Sequence, residues 1–272
     1  MLNRTDRARL AAETDNIVIA RGYDAATWVD LGETLERAQH GTHLHAPGDE
    51  LLNSATAPTD RAGRIEVTAE STLEATARLS REGADVIACL NFASAKHPGG
   101  GYRGGSQAQE ESLARSSGLV SCLEAVSGFY DVHQRQHDPV YSDRVVCSPA
   151  VPVFRTDDGN LLDRPYPVTF LTCAAPNAGA LRDRGRHEDL QRVLVSRARR
   201  VLSAAVLHGH SRIVLGAWGC GVFRNDPAVV AAAFAELLRV EFGRAFDLVT
   251  FAVFDQMPGA PVLDAFRTTL ES

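Results

Sequence analysis

The sequence predicts an α/β protein in which a mixed, largely parallel sheet lies between helices, preceded by a mainly helical N-terminal extension. Three observations predict it. From Ile65 onward, short apolar runs alternate with segments of helical period, the pattern of strands joined by crossover helices. Before Ile65 the pattern differs: two helical stretches and a polar, proline-punctuated region stand there instead. Finally, 272 residues with 44% hydrophobic content suffice for one large core with an extension. The expected division is 1–64 for an extension packed on the core and 65–272 for the main domain.

Taken in order, Leu10, Ala11, Ile17 and Val18 fall at helical spacing between Arg4 and Ala20, with Gly22 as the stop. A shorter helix covers Leu31 to Ala38. The region from there to Ile65 holds His40, His43, His45, Pro47 and Pro58 and reads as an extension wrapped on a neighbour. Strands are predicted at Ile65–Thr68, Asp85–Phe92, Val145–Phe154, Val168–Ala174, Ile213–Ala217 and Leu248–Phe254. Helices are predicted near Thr72–Arg81, Glu111–Val126, His187–Val206, Pro227–Phe242 and Pro261–Leu270. Ligands of such sheets bind beyond the carboxyl ends of the strands, and four loops leave strands at that end, so they converge on one rim.

Composition excludes several classes. A net charge of −6 argues against an extended basic face for duplex nucleic acid, which binds largely by phosphate neutralisation. Five cysteines, Cys89, Cys122, Cys147, Cys173 and Cys220, are widely spaced with no Cys-x-x-Cys pair, so reduced core thiols are expected. No apolar run reaches signal-peptide length at the N-terminus, and none approaches the roughly 20 residues that cross a bilayer. A soluble, cytoplasmic monomer is expected. The His-x-His pair with His40 nearby lacks a further ligand at convincing spacing, so no metal is expected.

The organising stretch runs from Asn91 to Gly118. In it Gly99-Gly100-Gly101 is followed, after a seven-residue spacer, by Gln109-Glu110-Glu111. Glycine backbone has no Cβ to block close approach, so its N–H groups can line up around an anion. The glutamates fall in a helix's first turn, where the dipole favours negative charge. Adjacent helical residues point about 100° apart, so one should act and the other hold. A second glycine-rich segment, Gly219-Cys220-Gly221-Val222-Phe223, joins a strand to a helix capped by Asn225 or Asp226, a junction whose free amides suit an anion.

Three glycines, six to eight residues, then Gln-Glu-Glu: here the sequence resembles the poly(ADP-ribose) glycohydrolases. The resemblance covers roughly Ile65 to the C-terminus and implies a macrodomain-like, ADP-ribose-binding catalytic domain. It implies that Gly219, Cys220, Gly221 and Val222 form a diphosphate loop, that Phe223 lies beside the distal ribose, and that Phe254 stacks on adenine. Vertebrate members carry asparagines where this chain has Ser94 and Ala217, so it looks like the bacterial-type branch. That branch implies cleavage at chain ends, and the family implies a role in reversing ADP-ribosylation during the DNA damage response.

The chemistry so implied is hydrolysis of the ribose–ribose O-glycosidic bond, releasing ADP-ribose, with Glu111 as general acid and base and no cofactor. Burial against Phe223 and crowding by Glu110 would raise the Glu111 carboxyl. Glu110 would hold a ribose hydroxyl, Gln109 would order the loop, and Gly99, Gly100 and Gly101 would hold the diphosphate and distal sugar. Expected partners are poly(ADP-ribose), the ADP-ribose product and ADP-ribosylated proteins. Alternatives are a non-catalytic ADP-ribose reader and a hydrolase acting on protein or nucleic-acid attachment sites. A dinucleotide-binding oxidoreductase fits poorly, because no helix opens directly at the glycines. Cys220 with His97 is not favoured as a nucleophilic pair. The arginines from Arg182 to Arg200 read as a solvated helix face, with Arg182–Arg186 the likelier phosphate contacts.

Overall fold

The computed structural model describes residues 2–51, 63–83 and 86–271. Pro58 and the predicted strand start at Asp85 lie outside the described residues. Helix α1 (Arg4–Ala20) begins where the Asn3 side chain accepts the Asp6 N–H, satisfying one of the open donors of the first turn. It ends on Arg21 in the left-handed region at φ 56°. Gly22 is therefore not the stop. It opens β1 (Gly22–Asp24), which pairs with β2 (Trp28–Asp30) as an antiparallel hairpin, and an added Cβ there would lie 2.6 Å from the Val29 carbonyl oxygen. Three-residue strands leave too short an alternation to stand out in a sequence. Helix α2 spans Gly32–Gly41, longer than expected, and is followed by β3 (His43–His45).

The alternating region opens with β4 (Arg64–Thr68) and α3 (Thr72–Arg81), the helix started by a capping box between Ser71 and Glu74. Strand β5 (Ile87–Phe92) follows. The helix expected over Glu111–Val126 is two helices, α4 (Gln109–Ser116) and α5 (Leu119–Glu124). Ser117 is extended between them and bridges Val153, while the Gly118 N–H donates to the Pro152 carbonyl. These non-local bonds outweigh the continuous helical period of the apolar residues. The shorter helix α6 (Gly128–Gln136) comes next.

Strands β6 (Val145–Arg155) and β7 (Leu161–Cys173) form a long antiparallel pair with bulges. Then come α7 (Ala178–Asp183), α8 (Leu190–Leu207), β8 (Arg212–Gly216), α9 (Pro227–Val240), β9 (Leu248–Ala252) and α10 (Pro261–Leu270). Seven strands form one sheet in the order β3-β6-β7-β5-β8-β9-β4. Pairs β4/β9, β5/β7, β5/β8 and β8/β9 are parallel, and only the β3–β6–β7 edge is antiparallel. The sheet is mixed and largely parallel, as predicted, and β3 from the N-terminal region is its edge strand.

Both faces of the sheet are covered, which is why β5, β8 and β9 are continuous apolar runs. One face packs α8, α9 and α10 around Phe234, Phe251 and Phe266; the other packs α3, α5 and α6 around Leu79, Leu123 and Phe129. Each such fully buried side chain contributes roughly 1.5–3 kcal/mol. Helix α1 crosses the loop before α4: Arg4 Nε and Arg7 Nε donate to the carbonyls of Gly104 and Gly105, and Asp15 holds Arg103 and the Tyr102 hydroxyl. Among the described residues no helix is long and apolar enough to cross a membrane.

Candidate active site

Because β5, β7, β8 and β9 run parallel, the loops that leave them meet on one side of the sheet. They enclose a single cleft with a cavity volume of about 1260 Å³, larger than the roughly 300–1,000 Å³ of ordinary small-molecule pockets. Gly100, Gly101, Gln109, Glu110 and Glu111 line it from one side. Gly219, Cys220, Gly221, Val222 and Phe223 line it from another, with Phe254 on the wall.

Gly99 does not line it. Its φ is +70°, and a Cβ there would lie 2.7 Å from Val120 Cγ2, so this glycine turns the chain and packs inward. Nor are the three amides free for phosphate. The Gly99 N–H is bonded to the Glu110 carboxyl, the Gly100 N–H to the His97 carbonyl at 2.9 Å, and the Gly101 N–H to Glu111 Oε1 at 3.0 Å. The expected cradle exists, but what it grips is the protein's own carboxyl groups. A Cβ on Gly100 would lie 2.4 Å from Glu111 Oε1 and 3.2 Å from Glu110 Oε2, so the glycine run lets the loop close over both side chains.

The two glutamates take different environments, as the helical angle between them requires. Glu110 is 3% exposed. Its Oε2 accepts the Ser94 N–H at 2.6 Å and its Oε1 accepts Asn91 Nδ2 at 3.3 Å. Burial pushes its carboxyl up to about 8; the Glu111 charge adds to the rise, and the bonds from Ser94, Asn91 and Gly99 oppose it. Glu111 is only half-buried, and it lines the cleft together with Phe223. One of its oxygens is held by Gly101, while Oε2 has no partner among the described residues. Gln109 fastens the helix start to β5: Oε1 accepts the Phe92 N–H at 2.9 Å, and Nε2 donates to the Leu90 carbonyl at 2.8 Å.

The second glycine loop has the amides that the first lacks. Its internal bonds run from Cys220 N–H to the Ala217 carbonyl, from Arg224 to Gly221 and from Asn225 to Gly219. Among the described residues the N–H groups of Gly219, Gly221, Val222 and Phe223 make no bond. Gly219 sits at φ +72°, where a Cβ would meet Asn225 Nδ2 at 2.4 Å and Ala175 Cβ at 2.6 Å. Four open amides facing a cleft make an anion nest. Asn225, itself buried, pins the loop by donating to the carbonyls of Pro176 and Gly219.

Phe254 is 58% exposed, so it belongs to the cleft wall and not to the core, the commoner place for a strand-end aromatic. Phe223 is half-buried, its ring 5.7 Å from that of Tyr141. Cys220 and His97 do share the cleft, but burial pushes the Cys220 thiol up to about 12, which leaves no thiolate to attack. Of the arginines of 182–200, Arg182, Arg184 and Arg192 are exposed, as a solvated face would be, but the run is not one free face. Arg197 is 1% exposed and held by Asp143 and the Ala174 carbonyl; Arg199 pairs with Glu241, Arg186 with Asp138 and Glu188, and Arg182 and Arg184 bond backbone carbonyls. None of the arginines from 182 to 200 lines the cleft.

Sequence reasoning missed a buried support of the site and a group of residues in the cleft wall. Asn91 is fully buried beneath Glu110; a lone amide in the run Ile87-Ala88-Cys89-Leu90 was the signal that could have found it. Leu2, Asp6 and Arg7 reach the cleft from the N-terminal region, where they join Arg115, a guanidinium that burial and then the Arg7 charge push down to about 10. No local pattern announces that long-range docking.

Comparison with known proteins agrees with this geometry. The model of the microbial-type PARG catalytic domain matches residues 11–156. The poly(ADP-ribose) glycohydrolase of Thermomonospora curvata is 49% identical, with a TM-score of 0.94, the match covering 97% of this chain and 99% of that one. The same enzyme bound to the inhibitor ADP-HPD is matched at 48% identity over 97% and 99% of the two chains, with a TM-score of 0.88. The glycohydrolase of Deinococcus radiodurans in complex with ADP-ribose is 46% identical over 87% of this chain and 96% of that one, with a TM-score of 0.81. Among curated proteins none matches. With the macrodomain-like sheet, the Gly-Gly-Gly loop closed over consecutive glutamates and a family match over half its length, the chain belongs to the microbial-type poly(ADP-ribose) glycohydrolases, glycoside hydrolases acting on poly(ADP-ribose).

Proposed function

We propose that the cleft takes the terminal ADP-ribose unit of a poly(ADP-ribose) chain and that Glu111 protonates the oxygen leaving the ribose–ribose bond. The oxocarbenium-like centre so formed accepts water, and Glu111 then removes the water's proton, so that one carboxyl serves both half-steps. A single observation carries this assignment. The Glu111 carboxyl stands in the cleft wall with one oxygen fixed by Gly101 and the other open, whereas the Glu110 carboxyl is enclosed by Ser94, Asn91 and Gly99. Glu110, which also lines the cleft, holds a ribose hydroxyl, and Gln109 orders the loop.

The diphosphate goes to the open amides of Gly219, Gly221, Val222 and Phe223, not to the glycines at 99–101. Phe223 lies against the distal ribose and Phe254 stacks on adenine. The ADP-ribose complex of the Deinococcus enzyme and the inhibitor complex of the Thermomonospora enzyme support this choice of ligand. Cleavage at chain ends is supported by the N-terminal region: Leu2, Asp6 and Arg7 wall the cleft, and Arg4 and Arg7 tie α1 to the loop at Gly104 and Gly105. Residues 65–272 act as the catalytic unit and 1–64 as its cap. Five free thiols suit a reducing compartment, in keeping with a cytoplasmic monomer that reverses ADP-ribosylation of proteins after DNA damage.

The deciding experiment compares the wild type with Glu111→Gln on defined poly(ADP-ribose). Loss of general acid–base catalysis lowers kcat by about 10²–10⁴-fold while ADP-ribose binding by calorimetry is retained. A Glu111→Gln enzyme that hydrolyses at the wild-type rate ends the assignment.

A further inference from the structure

The His-x-His pair of β3 finds in the fold the ligand that its own neighbourhood in the sequence lacks. His43 and His45 are two apart on one strand and so share a face. His208, at the end of α8, meets them there, with its Nε2 3.1 Å from Nε2 of His45. One ring nitrogen from each of the three lies within 4.8 Å of the others. His40 takes no part; it lies in α2.

We infer that His43, His45 and His208 form a binding site for one divalent transition-metal ion of the zinc class. Tetrahedral coordination with metal–nitrogen bonds of roughly 2.0–2.1 Å puts ligand nitrogens about 3.3 Å apart, and the His45–His208 separation already matches that edge. His43 Nδ1 lies 3.0 Å from the Gly41 carbonyl, the outer contact that fixes the tautomer of a ligating histidine and leaves Nε2 for the metal. Three imidazoles with no carboxylate or carbonyl ligand select zinc and its neighbours over calcium or magnesium, and three protein ligands leave one position for water. None of the three lines the substrate cleft. The ion would clasp the sheet's three-residue edge strand to the end of a helix 163 residues further along the chain, and so hold the N-terminal region on the core.

The test uses full-length protein without a histidine tag, stripped with a chelator and titrated with zinc by calorimetry. One zinc per chain is expected, together with a higher Tm. In His208→Ala and in His43→Ala, affinity falls by more than about tenfold and the Tm shift disappears, while metal-free Tm and poly(ADP-ribose) hydrolysis stay near wild type. Should either variant fold poorly, cobalt added to the wild type gives the intense visible absorption of a tetrahedral site. Equal zinc affinity in the wild type and both variants, or only the weak spectrum of hydrated cobalt, overturns the inference in favour of a metal-free histidine cluster.

Discussion

Replacing Glu110 by glutamine separates the proton that this side chain holds in the folded state from the hydrogen bonds that surround it. Its carboxyl is raised from 4.5 to about 8 by burial, which at 1.36 kcal/mol per pH unit corresponds to roughly 3–5 kcal/mol. The sign follows from linkage. The folded value lies above the unfolded one, so the contribution to stability is fully present below about pH 4.5 and is lost as the pH rises through about 8. Glutamine does not titrate. Its fit to Ser94 and Asn91 sets a fixed offset, since the Asn91 Oδ1 atom is buried without a partner and can accept from the new amide if Asn91 turns over. Urea unfolding of both proteins over this pH range therefore reads the Glu110 titration together with its coupling to Glu111, because groups that do not interact with Glu110 cancel in the difference. Relative to Glu110→Gln, the wild type should lose roughly 3–5 kcal/mol between about pH 4.5 and somewhat above 8. A stability difference that stays flat across that range would show that Glu110 ionises normally in the folded protein and that the enclosure described here is wrong.

The other predictions concern the cleft. Gly219→Ala places a Cβ within 2.6 Å of Ala175 at a left-handed φ, whereas Gly221 has nothing within 4 Å; calorimetry with ADP-ribose should find the first variant at least tenfold weaker, by about 1.4 kcal/mol or more, and the second near wild type. Phe254→Ala should weaken ADP-ribose binding by about 1–3 kcal/mol without lowering Tm, because the side chain is 58% exposed. Arg4→Ala combined with Arg7→Ala removes the bonds to Gly104 and Gly105, and gel analysis of digested polymer should then show oligomeric fragments beside ADP-ribose. An unchanged product pattern would mean that α1 does not restrict the enzyme to chain ends.

The legible parts of the fold were those written locally. The helix predicted near Thr72–Arg81 is α3, whose start is set locally by the capping box of Ser71 and Glu74, and β5, β8 and β9 were found because strands buried on both faces are continuous apolar runs. What escaped depends on distant contacts. The break at Ser117 exists because β6 offers Val153 and Pro152 to that backbone. Strand β3 exists because β6 pairs with its three residues, and the partner of its two histidines stands at position 208.

The two glycine segments show the same limit at the site itself. Both were read as anion-binding backbone; the amides of the first face carboxyl and carbonyl oxygens, and those of the second line the open cleft. The chemistry of glycine could not say which anion each receives. In the first loop the carboxyl groups of Glu110 and Glu111 arrive from the following helix and occupy the Gly99 and Gly101 amides. That contact fixes the Glu111 oxygen without any side-chain partner. In the second loop no acid follows within reach, since Asp226 caps α9 instead, and the amides stay open for a ligand. A division of labour follows: one loop positions the acid and the other receives the phosphate. Transferring the phosphate to the first loop would require displacing a carboxylate already bonded there, at a cost of about 1.5–3 kcal/mol for each charged hydrogen bond lost.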